Sequence, residues 1–346
     1  MKVVVLLEAG IPSYRNFLFT FLNDHPAISD LLIVHTGKIY NGKDGSYKDT
    51  KVKFVGSNKL GFHLGIFDYL RDADLIISSY NLRIISCWLP SLIWSKKWIF
   101  WGKGLGQVET SLVLSLRKLT ARKAKYILVY NEQKKKEMVN KLAIEPEKVI
   151  AYQNTIKITN PQNFDSEEKK YFLYFGRLQE RKGLKELISV YKKYVDRVGS
   201  PKFKLRLVGN GEFKATLQEE VERLGLQDLV EFYPGVYDDD AIAEHFKHAK
   251  LYVSPFNVGL AIINSFAYGV PVLTCKEPQV GPEFSYLNDD NSFVVDSVDQ
   301  FTDVFVSSEI EKGKNSDDVY RYFFDHLHYS VMENNFIDTI LKMKDE

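Results

Sequence analysis

Residues 172–184, FLYFGRLQERKGL, form an apolar run that stops at a glycine, followed by two cations five positions apart and a second glycine. The run reads as a buried strand ending at Phe175, Gly176 as a tight exit, and Leu184 as the start of a helix. Arg177 and Lys182 therefore stand at a strand-to-helix junction, where a helix N-terminus offers N–H groups to an anion. Arginine brings a planar fork for two phosphate oxygens, and lysine a compact point charge. Taken alone, such a pair either meets a phosphate or stands solvated on a surface turn.

On both sides of this junction, short apolar runs alternate with helical patterns, the mark of parallel α/β architecture. In the first half the runs are 3–7, 31–34, 52–55, 75–78, 98–101 and 126–129; in the second, 172–175, 204–208, 230–232, 251–253, 272–274 and 292–295. Six strands per half predict two doubly wound, Rossmann-like sheets, over residues 1–160 and 161–326. The polar, proline-bearing stretch 159–170 reads as the linker. The terminal segment 327–346 is amphipathic near its end and is expected to cross back to the first domain. Such sheets bind ligands beyond the C-terminal ends of their strands, so two of them facing across a cleft would carry a ligand on each wall.

Composition agrees with a folded, two-domain chain: 346 residues, 45% apolar and 26% charged. No segment has the roughly 18 apolar residues of a membrane span, and Met1 leads directly into a strand with no leader pattern. Cys87 and Cys275 lie far apart in apolar surroundings, which speaks against a disulfide framework and for a reducing, cytoplasmic setting. The net charge of +1 conceals an asymmetry. Residues 1–160 hold 24 Lys and Arg against 13 Asp and Glu, a balance of +11; the remainder holds 22 against 32, a balance of −10. The basic excess gathers at Arg117, Lys118, Arg122, Lys123, Lys125 and Lys134–Lys136, with Leu112, Leu114, Leu116 and Leu119 among the first of these. A solvated helix face and a contact with an anionic membrane both fit this pattern. No helix-turn-helix, RNP or zinc-finger pattern points to nucleic acid.

Further motifs follow the first in order. Residues 205–212 are a strand and a glycine turn, where Gly209 and Gly211 let backbone approach a ligand or a partner helix. Residues 251–272 run from a strand through Pro255 and Gly259 into a helix that Gly269 and Pro271 close. Asp238, Asp239 and Asp240 precede a helical pattern and read as capping residues before metal ligands. His245 and His248 lack a third ligand.

This ordered set, GRLxxxKG, VGNGE, LGLxxxVxFxxG, the SP…GL loop and the AxGxPV helix exit, resembles the retaining glycosyltransferase family 4, also described as glycosyl transferases group 1. The resemblance spans most of residues 172–296. It implies a GT-B fold, a nucleoside diphosphate sugar as donor (UDP before GDP), and transfer to a hydroxyl of a glycan or lipid-linked precursor with retention and without metal or cofactor. It makes Arg177 and Lys182 the groups that stabilise the leaving diphosphate. Val236 and Tyr237 would frame the base; Asn257, Val258, Gly259 and Leu260 would meet sugar and phosphate. Gly209 and Gly211 would bring backbone to the donor. Gly10, after the first strand, would lie under the diphosphate. Lys103 stands where some relatives carry a histidine, and would position sugar or acceptor; a surface lysine beside a glycine turn is the alternative. The family carries two glutamates eight positions apart, where this chain has Phe256 and Asn264. Asn264 would reach the ribose, and Glu283, in a loop after the last motif strand, would contact sugar or ribose or stand solvated. Two other readings are a non-catalytic sugar-nucleotide or glycan-binding subunit and a sugar-nucleotide epimerase on the same fold.

Overall fold

The computed structural model describes residues 1–37, 45–57, 59–106, 110–277, 281–308, 310 and 313–345. Fifteen strands are present among them: β1 (Lys2–Leu6), β2 (Asp30–His35), β3 (Lys48–Lys51), β4 (Phe54–Ser57), β5 (Leu60–His63), β6 (Leu75–Ser79), β7 (Trp98–Gly102), β8 (Tyr126–Val129), β9 (Val149–Ala151), β10 (Tyr171–Phe175), β11 (Lys204–Val208), β12 (Val230–Tyr233), β13 (Ala249–Val253), β14 (Val272–Cys275) and β15 (Ser292–Val295). They form two parallel sheets, ordered β3-β2-β1-β6-β7-β8-β9 and β12-β11-β10-β13-β14-β15, with β4 and β5 as a separate antiparallel hairpin. The chain divides into two domains, Met1–Lys157 with Tyr329–Glu346, and Ile158–His328.

The first sheet has seven strands, not six. The edge strand β3 (KDTK) lacks any apolar alternation and is half exposed, so hydrophobic pattern could not reveal it. The expected strand at 52–55 falls instead on the junction of β3 and the hairpin, where the Phe54 ring packs over Gly61. Central strands are buried on both faces: β1 and β6 contribute Val3, Val5, Leu75 and Ile77 to one and Val4, Leu6 and Ile76 to the other. The terminal helix Tyr329–Asp345 packs Met332, Phe336, Ile337 and Ile340 into the same core as Leu18 and Leu22 of the helix Asn16–Asp24. Arg15 is buried there, its guanidinium donating to the Thr155 carbonyl (3.0 Å) and to the Asn154 side chain.

His63 of β5 is fully buried, with its Nδ1 2.7 Å from Ser86 Oγ. Burial pulls its pKa down to about 4, against a weaker opposing influence of the Glu8 backbone. The unfolded histidine titrates near 6.5, so folding favours the neutral ring. That contribution is complete above pH 6.5 and is lost as pH falls toward 4. Between pH 7 and 5, the gap in unfolding free energy between the chain and His63→Gln is expected to move by about 2 kcal/mol against the histidine. Denaturation at the two pH values measures it. Taking the difference removes the opposite contribution of Glu333, whose carboxyl is raised to about 7 by burial.

In the second domain the helix Leu184–Val198 buries Leu184, Leu187, Ile188, Tyr191 and Tyr194, the spacing of one helical face. Gly183 precedes it at φ 67°, a left-handed conformation that glycine adopts at no steric cost. Residues 159–170 do not behave as a free linker. Thr159 N donates to Asp239, Gln162 N to the Ala267 carbonyl, and Phe164 stacks on Tyr268 at 5.7 Å.

Candidate active site

In the second sheet, strand order reverses between β10 and β13, the switch point at which doubly wound sheets bind ligands. The loop after β10 carries Arg177 and Lys182; the loop after β13 carries Asn257, Val258, Gly259 and Leu260. Lys182 Nζ donates to the Asn257 carbonyl at 2.6 Å, so one cation ties the two loops. Asn257 takes φ 54°, which turns its carbonyl to that ammonium. Burial pulls the Lys182 pKa down to about 8; the Arg181 charge lowers it further, and the Glu283 carboxylate opposes both.

Glu283 is buried in the turn Pro282–Tyr286 and is not a solvated loop acid. The Glu283 Oε2, the Asn257 Oδ1 and the Val258 carbonyl stand 3.1, 3.5 and 2.3 Å from the point where a side chain at Gly281 would begin. Lys182, Asn257, Val258 and Glu283 thus converge on one place. Phe256 is half-buried, and its ring packs over Gly183, 2.5 Å from a hypothetical Cβ there. Asn264 is buried on the short helix Ala261–Ala267, and Leu260 is half-buried at its start.

Arg177 is exposed, and the buried Tyr174 hydroxyl donates to its carbonyl at 2.9 Å. The segment around it is laced to the glycine turn after β11: Gly176 N donates to Val208 O, Leu178 N to Asn210 O, and Phe213 N to Leu178 O. A Cβ on Gly209 would fall 1.8 Å from the Gly176 carbonyl oxygen, and one on Gly211 2.0 Å from that of Leu178. These two glycines therefore serve the close approach of backbone to backbone that aims the Arg177 loop. The Asn210 side chain extends the lacing by accepting from Gly235 N at 3.2 Å. Val236 and Tyr237 follow at the sheet edge, two strands from β10, and Tyr237 is 78% exposed.

Sequence reading missed three contributors: Tyr174, Asn210 and Arg181. Asn210 lay inside the quoted glycine motif, and Arg181 beside Lys182; Tyr174 gave no signal, being one aromatic in a buried strand. Asp238 caps the helix Asp239–Lys247 by accepting from Ala241 N, as expected. Among the described residues no cluster of His, Cys, Asp and Glu could hold a metal ion. Gly10 and Lys103 belong to the first domain. Gly10 follows the first strand beside the Ala9 carbonyl, which accepts from Thr36 N, and Lys103 is exposed after β7.

Residues 156–303 match the family model for glycosyl transferases group 1. Two curated relatives are uncharacterized glycosyltransferases. The one from Haemophilus influenzae is 26% identical over 129 residues, 35% of each chain. The one from Methanocaldococcus jannaschii is 27% identical over 233 residues, 59% of this chain and 56% of the relative. The chain thus spans about a third and just over half of these two relatives. Among solved structures, HepE of Anabaena in complex with UDP superposes with a TM-score of 0.74 at 16% identity, covering 99% of this chain and 100% of HepE. The fold is the GT-B fold of two parallel-sheet, Rossmann-like domains.

The depressed Lys182 pKa has a consequence for anion binding. A diphosphate favours the charged ammonium, so above pH 8 the free protein must take up a proton to bind one. Affinity for a diphosphate group at this ammonium is expected to fall by up to about tenfold per pH unit between pH 8 and 10. Titration calorimetry in two buffers of different ionisation enthalpy would register the proton uptake.

Proposed function

We propose that the chain is a glycosyltransferase that moves a sugar from a nucleoside diphosphate donor, UDP before GDP, to a hydroxyl of a glycan or lipid-linked glycan precursor. The observation that carries this reading is the Lys182 ammonium seated on the Asn257 carbonyl at the β10/β13 switch point, with Arg177 on the same loop. The match of residues 156–303 and the likeness to a UDP-bound structure support it. In the reaction, the bond between the anomeric carbon and the diphosphate breaks, and the acceptor oxygen bonds to that carbon. The acceptor proton passes to a leaving phosphate oxygen on the same face, which gives retention without an enzymic nucleophile. Charge gathering on the diphosphate is met by Lys182, Arg177 and the helix start at Leu184, so no metal is needed. Val236 and Tyr237 frame the base, and Asn257 to Leu260 and Asn264 meet sugar and ribose.

Hydrolysis and transfer assays with a panel of UDP- and GDP-sugars test the reading. Turnover of one of them is expected. Donor binding with no turnover on any acceptor or on water would favour a binding subunit, and interconversion of donor without acceptor an epimerase.

A cytosolic membrane face suits a lipid-linked acceptor. No helix among the described residues is long and apolar enough to cross a membrane. The helix Ser111–Lys123 leaves Leu112 80% and Leu119 48% exposed beside exposed Arg122 and Lys123, and Ile93 of a neighbouring segment is 75% exposed. Arg117 does not belong to this patch: it is buried, with its guanidinium over the Tyr80 ring. Flotation with anionic liposomes is expected, and is expected to weaken when Lys118, Arg122, Lys123, Lys125 and Lys134–Lys136 are neutralised. Unaltered flotation would give the patch another role.

A further inference from the structure

Strands β12, β11 and β10 lie side by side and run parallel, so the loops leaving their C-terminal ends stand next to one another in that order. The loop after β10 carries Arg177 and Lys182, the loop after β11 carries Asn210, and the loop after β12 carries Gly235, Val236 and Tyr237. Two strand spacings, about 10 Å, separate the first of these loops from the last. In the donor reading these outer two hold opposite ends of one ligand, its diphosphate and its base. Strand pairing fixes the loops only at their roots: the last pairs are Phe175 with Val208 and Val208 with Tyr233.

Asn210 is bonded to both neighbouring loops, through different parts of the residue. Its main-chain carbonyl accepts at 2.9 Å from the N–H of Leu178, the residue after Arg177. Its side-chain Oδ1 accepts from Gly235 N at 3.2 Å, at the entry to the base loop. Among the described residues this is the hydrogen bond that ties 234–237 to another loop. Gly235 leaves room for it. A Cβ there would lie 3.0 Å from Asn210 Nδ2 and 3.4 Å from Cγ, so a larger residue would press the amide away. Asn210 is exposed and fills no part of the core. Crowding of backbone against backbone accounts for the glycines on either side of it, and the bond to Gly235 accounts for its amide.

We propose that Asn210 is a positioning residue that holds the base loop in register with the phosphate loop, so that a nucleoside diphosphate meets both as one preformed site. It does this without touching the ligand. A ligand that spans two contact points gains from their being fixed relative to each other, because the second contact then forms without further ordering cost. A ligand that meets the phosphate loop alone gains nothing. The signature is a ratio, the affinity for UDP over that for pyrophosphate. This inference rests on the reading of the two loops as the base and diphosphate ends of the donor site.

The test uses the full chain, Asn210→Ala and Asn210→Asp. UDP binding is measured by titration calorimetry, pyrophosphate binding by displacement of UDP, and amide exchange at Gly235 by NMR. In Asn210→Ala the ratio is expected to fall by about tenfold, the scale of one hydrogen bond, with pyrophosphate bound as in the wild type. The Gly235 N–H should exchange faster. Asn210→Asp keeps the accepting oxygen in place. Its added charge weakens UDP and pyrophosphate alike, so the ratio and the Gly235 protection should both be kept. A ratio unchanged in Asn210→Ala, or one that falls as far in Asn210→Asp, would overturn the proposal, and so would Gly235 exchange that is the same in all three chains. A wild type that binds UDP, beside an Asn210→Ala chain that binds it equally well, removes this inference and leaves the donor reading. A wild type that binds neither UDP nor pyrophosphate removes both.

Discussion

Replacing Lys182 by alanine is expected to lower kcat/KM for sugar transfer by about 10²- to 10³-fold, with the chain still folded. The ammonium is partly withdrawn from water and already held by the Asn257 carbonyl, so it meets developing phosphate charge without reorganising. In such a low-dielectric setting a fixed cation is worth far more than at the surface. Its removal leaves the Asn257 carbonyl without this donor and the buried Glu283 carboxylate without this charge, so the thermal midpoint should fall modestly while the chain stays folded. Arg177 is exposed, and Arg177→Ala is expected to cost less, about tenfold, because water screens the same charge. Steady-state kinetics with the preferred donor, beside thermal melts, measure both. Unchanged kcat/KM in both variants would overturn the phosphate assignment. Lys182→Arg should fail as well: arginine keeps its charge, but its wide fork does not fit a seat made for a point donor 2.6 Å from one carbonyl.

The parts of this site that the sequence made legible are those where one residue type has one physical use. An all-apolar five-residue run such as β10 has little choice but a buried parallel strand, and a cation pair behind it has little choice but the switch-point loop. Legibility ends where the partner is distant in sequence. Glu283 reads as a loop acid until its burial and its effect on Lys182, about a hundred positions away, are known. Phe256 reads as a vacancy in the family's acidic pair. In the fold it is an occupant, filling the space above Gly183 that a bare backbone would leave. Arg117 reads as one more surface cation, yet the Tyr80 hydroxyl bonds its carbonyl and the ring lies beneath its guanidinium. The polar edge strand β3 escapes for a simpler reason: with both faces half exposed, it carries no alternation to detect.

Gly209→Ala is expected to destabilise the second domain by about 3 kcal/mol, and Gly259→Ala hardly at all. Both glycines stand in loops that follow strands of one sheet, and on sequence alone both were assigned to the donor. Their surroundings differ. A methyl group added at Gly209 would meet the Gly176 carbonyl oxygen at 1.8 Å, a backbone atom that cannot move without breaking the Gly176 N to Val208 O bond and the turn that aims Arg177. The resulting strain is shared between stability and the phosphate grip, so activity should fall together with the denaturation midpoint. Around Gly259 nothing lies within 4 Å of the added methyl, and the protein gives no internal reason for a glycine there. If the reason is a donor pressed against bare backbone, Gly259→Ala will keep its melting temperature and lose UDP-sugar affinity, and the two effects separate cleanly in melts with and without UDP. A Gly259→Ala chain that binds UDP and UDP-sugars as the wild type does would move the donor off this loop. It would leave Lys182 and Arg177 holding a phosphate whose sugar lies elsewhere.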